Sequence, residues 1–186
     1  MQVCYDVKTE PSLKREKTAF VCVDIQEKIF EVMQEKERLL KNANRLLKAS
    51  EILGFKTLVL EQYPKGLGKS IVQCSIEPLE KLSFSAFGEK KFCHSLQDEQ
   101  IQTLVIFGIE SHVCVRESAF DAKQRGFETY VIEDSCSSRD LLHHHLAMQE
   151  LRNAGVRIIS SETLLFTSLL HCKEKHFKAI SALVKD

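Results

Sequence analysis

Hydrophobic and polar residues follow two different periods along this chain. Short apolar runs rich in β-branched residues are typical of buried strands, and they span residues 18–23, 56–60, 103–107, 128–132 and 156–160. Longer segments with apolar residues three or four positions apart are typical of helices, and they span residues 27–53, 90–99, 112–124 and 140–153, with further helices closing the chain. Residues 61–87 contain two prolines and two glycines and are predicted to be irregular.

This alternation of strands and helices predicts the fold class. Parallel strands joined by helices form a sheet whose two faces are both covered. We therefore expect an α/β protein: a single-domain, three-layer α/β/α fold with a mainly parallel central sheet of five or six strands. The domain is predicted to span residues 18–186, after an N-terminal segment of residues 1–17. Because ligands bind at the carboxyl ends of such strands, polar residues there are the best candidates for a site.

Charge and composition narrow the class of ligand. The 26 basic and 26 acidic side chains balance, and Lys and Glu are interleaved rather than grouped in a basic stripe. We therefore expect a small-molecule substrate and no nucleic acid. No apolar run is long enough to span a membrane, so no membrane partner is expected. Residues 1–17 lack the apolar core of a signal peptide, which favours the cytoplasm, with a mitochondrial location left open.

The chain contains seven cysteines, none of them in a Cys-x-x-Cys pair. An odd number of unpaired cysteines without a secretory signal predicts reduced thiols. A redox thiol protein is therefore the least favoured functional class. The ordinary role of any one of these residues is that of a small buried apolar side chain.

Three residues stand out as candidates for chemistry. Cys114 follows a strand and a glycine-containing turn at the start of a helix, where free N–H groups and partial positive charge favour a thiolate or an oxyanion. A buried structural cysteine is an equal alternative there. Asp24 ends the first strand, and a helix N-cap is its simpler interpretation. Lys81 would be taken as a surface lysine from its spacing alone.

Three segments of the chain resemble the isochorismatase-like hydrolase family, also called cysteine hydrolases, which includes nicotinamidases and N-carbamoylsarcosine amidases. They occur in the family's order and separation: Phe20-Val21-Cys22-Val23-Asp24-Ile25-Gln26, Lys81-Leu82-Ser83-Phe84-Ser85-Ala86-Phe87 and Gly108-Ile109-Glu110-Ser111-His112-Val113-Cys114-Val115. The resemblance runs from about residue 18 to residue 167. The segment 61–68 is similar to the less characterised isochorismatase-domain-containing branch of the family.

The resemblance implies a Rossmann-like fold and a catalytic triad of Asp24, Lys81 and Cys114. It also implies a cis peptide bond between Ile109 and Glu110, which would aim the N–H groups of Glu110 and Cys114 at one oxyanion. Asp24 would take the thiol proton, Lys81 would stabilise the charges, and the thiolate would form a thioester with the substrate. Since true isochorismatases lack the nucleophilic cysteine, Cys114 favours hydrolysis of a small amide, carbamoyl or related C–N bond.

Opposing effects act on the pKa of Cys114 in this arrangement. The helix N-terminus, the Lys81 charge and the N–H groups lower it, whereas the Asp24 carboxylate raises it. We expect the lowering effects to prevail, because two of them come from fixed backbone geometry. Cys114 is then predicted to be the most reactive of the seven thiols.

Nicotinamidases of this family hold a metal ion with an Asp-x-His pair and a distant His. The corresponding loop here, Glu61-Gln62-Tyr63-Pro64, has no His, so the resemblance implies no metal and no cofactor, and makes nicotinamide a less favoured substrate. The run His143-His144-His145 is not expected to replace the missing histidine as a metal ligand. Consecutive helical residues point about 100° apart, and we interpret these three as solvated.

Motif positions suggest further pocket residues, with packing or loop structure as an equal alternative: Gln26, Gln62, Tyr63, Phe84 and Phe87. His112 is next to the site and could contact substrate, or equally cap the helix or face a neighbouring subunit. The family resemblance also implies a homo-oligomer, for which the apolar positions in 164–170 and 177–184 could serve, unless they pack on the protein's own sheet. Two functional alternatives remain beside the hydrolase. One is a non-catalytic interaction protein on the same fold. The other is a ribonuclease, a name that some protozoan relatives carry and that the balanced charge disfavours.

Overall fold

The structure is a computed structural model that describes residues 13–169 and 171–185. Most of the predicted N-terminal segment, residues 1–17, therefore lies outside the described residues. Within them, all neighbouring strands pair in parallel, in the order β3-β2-β1-β4-β5-β6. The strands are β1 (Thr18–Val23), β2 (Lys56–Gln62), β3 (Leu79–Lys81), β4 (Thr103–Ile109), β5 (Glu128–Ser137) and β6 (Arg157–Ile159).

Helices cover this sheet and complete the predicted α/β fold. They are α1 (Glu27–Phe30), α2 (Lys36–Leu53), α3 (Pro64–Leu67), α4 (Lys90–Asp98), α5 (Arg116–Gln124), α6 (Leu141–Asn153), α7 (Ser161–Thr167) and α8 (Phe177–Lys185). The described residues also form a 3₁₀ turn before β1 (Arg15–Lys17), a second one before α4 (Ala86–Gly88) and a π-helical turn before α5 (Ser111–Val115). Among the described residues, no helix combines the length and hydrophobicity needed to cross a membrane.

The two central strands, β1 and β4, are buried along their whole length. Parallel strands covered on both faces need apolar residues at successive positions, which explains the continuous runs in the sequence. The chain leaves β1 for β2 on one side, and later places β4 on the other side. The carboxyl ends of β1 and β4 therefore form the topological switch point, where sheets of this kind bind ligands.

The prediction of one continuous helix over residues 27–53 is wrong, because residues 31–35 are not helical. The chain forms α1 and α2 instead, and between them Glu35 adopts the left-handed conformation with φ 47°. The intervening segment bonds to the end of β5: the Gln34 N–H donates to the Ser138 carbonyl, and the Ser137 hydroxyl donates to the Gln34 carbonyl. These contacts are long-range, so the local apolar period gives no sign of the break.

Strand β5 continues five residues past the predicted end, through Glu133 and Asp134. The Asp134 side chain stabilises this extension by joining the strand to two helices. It accepts hydrogen bonds from the N–H and hydroxyl of Ser161, both at 2.7 Å, and Asn42 Nδ2 donates to it at 3.2 Å. The segment predicted to be irregular also contains one short strand, β3, whose last residue is Lys81.

Gly108 brings β4 close to β1 immediately before the turn that contains Cys114. It has φ 128°, and an added Cβ would collide with the Val23 carbonyl oxygen. We expect Gly108→Ala to lower the free energy of unfolding by at least about 3 kcal/mol, from backbone strain and overpacking together. Urea denaturation of the purified variant measures this.

Gly126→Ala is the matched control for this substitution. Gly126 also has a positive φ, 85°, but an added Cβ there meets no atom within 4 Å. The control should therefore lose only the conformational term, about 1–2 kcal/mol. Equal losses in the two variants would contradict the predicted collision with β1.

Candidate active site

Two opposite charges meet at the carboxyl end of the sheet. Asp24 directly follows β1, and Lys81 is the last residue of β3, two strands away. The extended Lys81 side chain crosses the end of β2, so that its Nζ lies 2.7 Å from Asp24 Oδ2. The two side chains are 0% and 2% exposed. This contradicts the interpretation of Lys81 as a surface lysine and of Asp24 as a helix cap, because their long-range pairing is not encoded in local spacing.

The Lys81 ammonium is surrounded by oxygen atoms. Besides Asp24, its neighbours are Gln62 Oε1 at 2.6 Å and the carbonyls of Ser83 and Phe84 at 3.2 and 3.3 Å. An ammonium group has three donors, and all of them are directed at protein acceptors. Lys81 therefore supplies positive charge to the site and has no spare donor proton.

The turn that follows Lys81 is shaped by Glu89. Its carboxylate accepts hydrogen bonds from the Leu82 N–H at 3.0 Å and the Ser83 hydroxyl at 3.1 Å. These bonds, chiefly the one from Leu82, hold the pKa of Glu89 below its ordinary value although burial opposes them. A charged Glu89 thus fixes the turn that directs two carbonyls at Lys81.

Asp24 is buried next to this ammonium and adopts the left-handed backbone conformation, with φ 53°. Its Oδ2 forms an ion pair with the Lys81 ammonium at 2.7 Å. Burial raises the pKa of Asp24 above its ordinary value, and the Lys81 charge offsets the shift only in part. A buried carboxylate of this kind holds a proton more readily than one in water.

Cys114 lies in the π-helical turn immediately before α5 and is 7% exposed. Its thiol donates a long hydrogen bond, 3.9 Å, to Gln62 Oε1, and it interacts with both Asp24 and Lys81. Burial and the Asp24 charge raise its pKa to about 12, and Lys81 opposes this only partly. The expected low pKa is therefore wrong. Burial of the thiol, which the sequence does not show, and the Asp24 charge together outweigh the Lys81 charge.

The turn itself is held by Glu110. The peptide bond between Ile109 and Glu110 is cis, where the resemblance implies one. The Glu110 carbonyl accepts from the N–H groups of Val113 and Val115, and its buried carboxylate binds Arg139 through two guanidinium nitrogens at 2.9 and 2.7 Å. Burial disfavours the charged carboxylate, but the Arg139 contacts outweigh it and lower the Glu110 pKa.

The predicted pocket residues separate into two groups. Gln62 touches the central side chains directly. Gln26 is fully buried and holds the backbone of Gln62: its Oε1 accepts from the Gln62 N–H at 2.8 Å, and its Nε2 donates to the carbonyls of Gln62 and Gly68 at 3.1 and 2.7 Å. Gln26 therefore positions Gln62.

The four aromatic candidates differ in exposure. Tyr63 and Phe84 are both exposed. In the sequence, Tyr63 directly follows Gln62, and Phe84 is three positions after Lys81. Phe87 is buried against Phe92 and Phe127, which is the packing alternative. His112 is half-buried; its Nδ1 shares a hydrogen bond of 2.9 Å with the Ser138 hydroxyl, and its ring lies against His143.

The histidine run does not behave uniformly. His143 and His145 are exposed as predicted, whereas His144 is buried, and its Nδ1 shares a hydrogen bond of 2.8 Å with the Ser111 hydroxyl. The interpretation of His144 as solvated is therefore wrong, because α6 packs on the turn that contains Ser111. In the loop compared with the nicotinamidase metal site, Glu61 accepts a hydrogen bond from the Ser70 N–H at 2.6 Å.

Comparison with known proteins identifies the family of this chain. A model of the isochorismatase domain matches residues 18–163. The chain belongs to the isochorismatase family. It is 29% identical over 184 residues to isochorismatase domain-containing protein 1 of Danio rerio, covering 97% of this chain and 65% of that relative. It is 32% identical over 164 residues to isochorismatase domain-containing protein 2 of the same organism, covering 87% of this chain and 83% of that relative.

The chain is also similar to a solved structure of the same architecture. The structure described as MAR1 ribonuclease from Caenorhabditis elegans superposes with a TM-score of 0.88 at 27% identity, covering 94% of this chain and 92% of that one. The present chain thus spans slightly less than two thirds of the first curated relative and nearly all of this solved one. Membership of the isochorismatase family supports a hydrolase.

Sequence reasoning missed several residues that shape this site. Arg139 binds Glu110 across 29 positions, and Glu89 shapes the turn after Lys81. Charged residues in polar stretches give no local signal of such contacts. The role of Gln26 could have been inferred in part, because a glutamine between a buried strand and a helix needs partners for its amide.

The high pKa of Cys114 predicts low reactivity towards iodoacetamide in the free protein. At pH 7.5 we expect Cys114 to be alkylated more slowly than the exposed Cys74 and Cys172, because its thiol is protonated and buried. Asp24→Asn removes a charge that raises the pKa of Cys114, so it should accelerate alkylation of Cys114 at least about tenfold, the effect of one pKa unit.

Peptide mass spectrometry after timed labelling measures all of these rates in one sample. Cys74 serves as the internal control, because the Asp24 substitution should leave its rate unchanged. Alkylation of Cys114 faster than both exposed thiols in the unaltered protein would contradict the raised pKa.

Proposed function

We propose that this chain is a cysteine hydrolase that cleaves a small amide, carbamoyl or related C–N bond through a thioester on Cys114. The observation that supports it most directly is the burial of a carboxylate and an ammonium group against one thiol. Uncompensated buried charge is costly. A structural cysteine gains nothing from such neighbours, whereas a nucleophile needs a base and a compensating cation.

In the proposed mechanism the proton rests on the sulfur of Cys114 until substrate arrives. As the sulfur attacks the carbonyl carbon, its proton passes to Asp24, whose raised pKa makes it a stronger base than an ordinary carboxylate. Negative charge moves from sulfur to the carbonyl oxygen, so the buried thiolate never has to accumulate. Lys81 keeps the site electrically balanced throughout.

Collapse of the tetrahedral intermediate breaks the C–N bond. Asp24 returns its proton to the leaving nitrogen, which departs as a neutral amine, and the acyl group remains on sulfur as a thioester. Water then adds to the thioester carbon and gives a proton to Asp24. The C–S bond breaks, the acyl group leaves as the acid, and the sulfur takes the proton back from Asp24. The N–H groups of Glu110 and Cys114 are proposed to hold the oxyanion in both steps.

The proposed substrate is small because little of Cys114 is open to solvent. Only 7% of the residue is exposed, and Gln62 Oε1 contacts both the sulfur and the Lys81 ammonium. A substrate carbonyl must share this space with the Gln62 amide. Gln62 is therefore proposed to line the substrate pocket, with Gln26 holding it in place and Tyr63 and Phe84 at the outer edge.

A ribonuclease activity is the second candidate, since the similar solved structure is described as a ribonuclease. The balanced charge of the chain and the depth of Cys114 favour a small molecule. Cleavage of labelled RNA that falls with added salt and survives Cys114→Ala would favour the ribonuclease over the cysteine hydrolase.

A homo-oligomer remains part of the proposal, to be measured by light scattering on a sizing column. The apolar positions suggested for its interface are largely used elsewhere. Leu164, Leu165 and Ile180 are buried in the chain's own core, and residue 170 lies outside the described residues. A non-catalytic interaction protein is the outcome if no substrate is turned over.

A hydrolysis screen with amides, ureides and carbamoyl compounds tests the main proposal. We expect turnover of at least one small compound, loss of that activity in Cys114→Ala, and a fall of at least about 100-fold in Asp24→Asn, since acid–base help is typically worth 10²–10⁴-fold. Chelators should leave the activity unchanged.

Cys74→Ala is the matched control, because Cys74 is an exposed thiol outside the site, and it should retain full activity. Mass spectrometry of the quenched reaction should detect the acyl group on Cys114. Activity that survives Cys114→Ala, or that is lost on chelation and restored by zinc or iron, would overturn the mechanism.

A further inference from the structure

A second cluster of side chains that can bind a ligand lies between strand β5 and the first turns of α6. Its members are Glu133, His144 and His145, and one ligand atom from each lies within 4.8 Å of the other two. Neighbouring helical residues diverge by about 100°, yet these two rings approach to 5.4 Å between centroids. The Glu133 carboxylate faces both of them from the adjoining strand.

His144 is the fixed member of this cluster. It is buried, and its Nδ1 shares a hydrogen bond with the Ser111 hydroxyl. Its other nitrogen, Nε2, lies 3.9 Å from Glu133 Oε1, too far for a hydrogen bond. If Nδ1–H donates to Ser111, a free nitrogen lone pair then faces a carboxylate oxygen across a gap.

Two electron-pair donors directed at one gap are the arrangement that a cation completes. Metal-bound histidines usually donate their second ring N–H to a nearby oxygen, and Ser111 is placed to accept it. Glu133 is held similarly: Oε1 faces His144, while Oε2 lies 3.6 Å from Arg152 Nη2. This favours coordination through one carboxylate oxygen.

We propose that Glu133, His144 and His145 bind a divalent transition-metal ion, with zinc as the best match to two imidazoles and one carboxylate. Zinc bonds of about 2.0–2.2 Å require these atoms to move closer together. The exposed His145 and the partly exposed Glu133 can rotate to do so, while His144 stays in place.

The surroundings of the cluster allow an ion to enter and moderate its affinity. The three side chains border an open cleft of about 620 Å³, together with Glu35 and Arg38. The positive charges of Arg38 and Arg152 oppose binding of the metal ion, and the negative charges of Glu35 and Glu133 favour it. The ion would join β5 to α6 and, through Ser111, to the turn that contains Cys114. It is separate from the proposed catalytic side chains and takes no part in their chemistry.

Zinc binding to the full chain tests this proposal. Affinity is measured by competition with a chromogenic chelator, and X-ray absorption identifies the ligands. Bonds of about 2.0–2.1 Å indicate nitrogen and oxygen, whereas about 2.3 Å indicates the exposed thiols of Cys74 or Cys172. We expect one zinc ion with nitrogen and oxygen ligands.

Substitutions assign the ion to this cluster. Glu133→Gln and His145→Ala should each weaken zinc binding at least about 100-fold, since loss of an outer-shell partner alone costs roughly 10–100-fold. Ser111→Ala should weaken it by that smaller factor. His143→Ala is the matched control, because His143 is exposed on the same helix outside the cluster, and it should bind zinc like the unaltered chain.

Circular dichroism without metal verifies that each variant is folded. Sulfur ligands in the absorption spectrum would overturn the proposal. So would an affinity that Glu133→Gln and His145→Ala leave unchanged, or equal losses in His143→Ala and His145→Ala.

Discussion

The ion pair between Asp24 and Lys81 is the interaction on which the rest of this site depends. Taking two charges out of water is unfavourable unless geometry and further hydrogen bonds compensate them. The protein meets this condition by surrounding the Lys81 ammonium with Gln62 and two backbone carbonyls. The short strand β3, the Glu89-bound turn and the Gln26 contacts all serve to keep those acceptors in place.

The same pair determines where the proton lies before reaction. Because Lys81 already balances Asp24, little positive charge is left to stabilise a thiolate, and burial makes that thiolate still less favourable. The sulfur therefore stays protonated in the free protein. In the proposed mechanism a substrate carbonyl removes this obstacle by accepting the charge. A nucleophile that forms only with substrate present is also protected from oxidants that attack thiolates.

The π-helical turn Ser111–Val115 connects two regions of the molecule. Cys114 faces the ion pair, while Ser111 bonds to His144 on α6. Glu110 fixes the start of the turn through Arg139, which directly precedes the N-cap of that helix. The position of the reactive sulfur thus depends on how α6 packs, and the proposed metal cluster lies at that same contact.

The sequence by itself determined the layers of the fold, because buried parallel strands and amphipathic helices each require a particular spacing of apolar residues. That spacing can be read within a single segment, without knowledge of its partners. The family resemblance pointed to Asp24, Lys81 and Cys114 before any contact was known. Tertiary structure alone decided the break before α2, the extension of β5 through Asp134 and the burial of His144, since each rests on partners distant in sequence. It also decided the pKa of Cys114, because the sulfur is buried against Asp24, Lys81 and Gln62, which are distant from it in the chain.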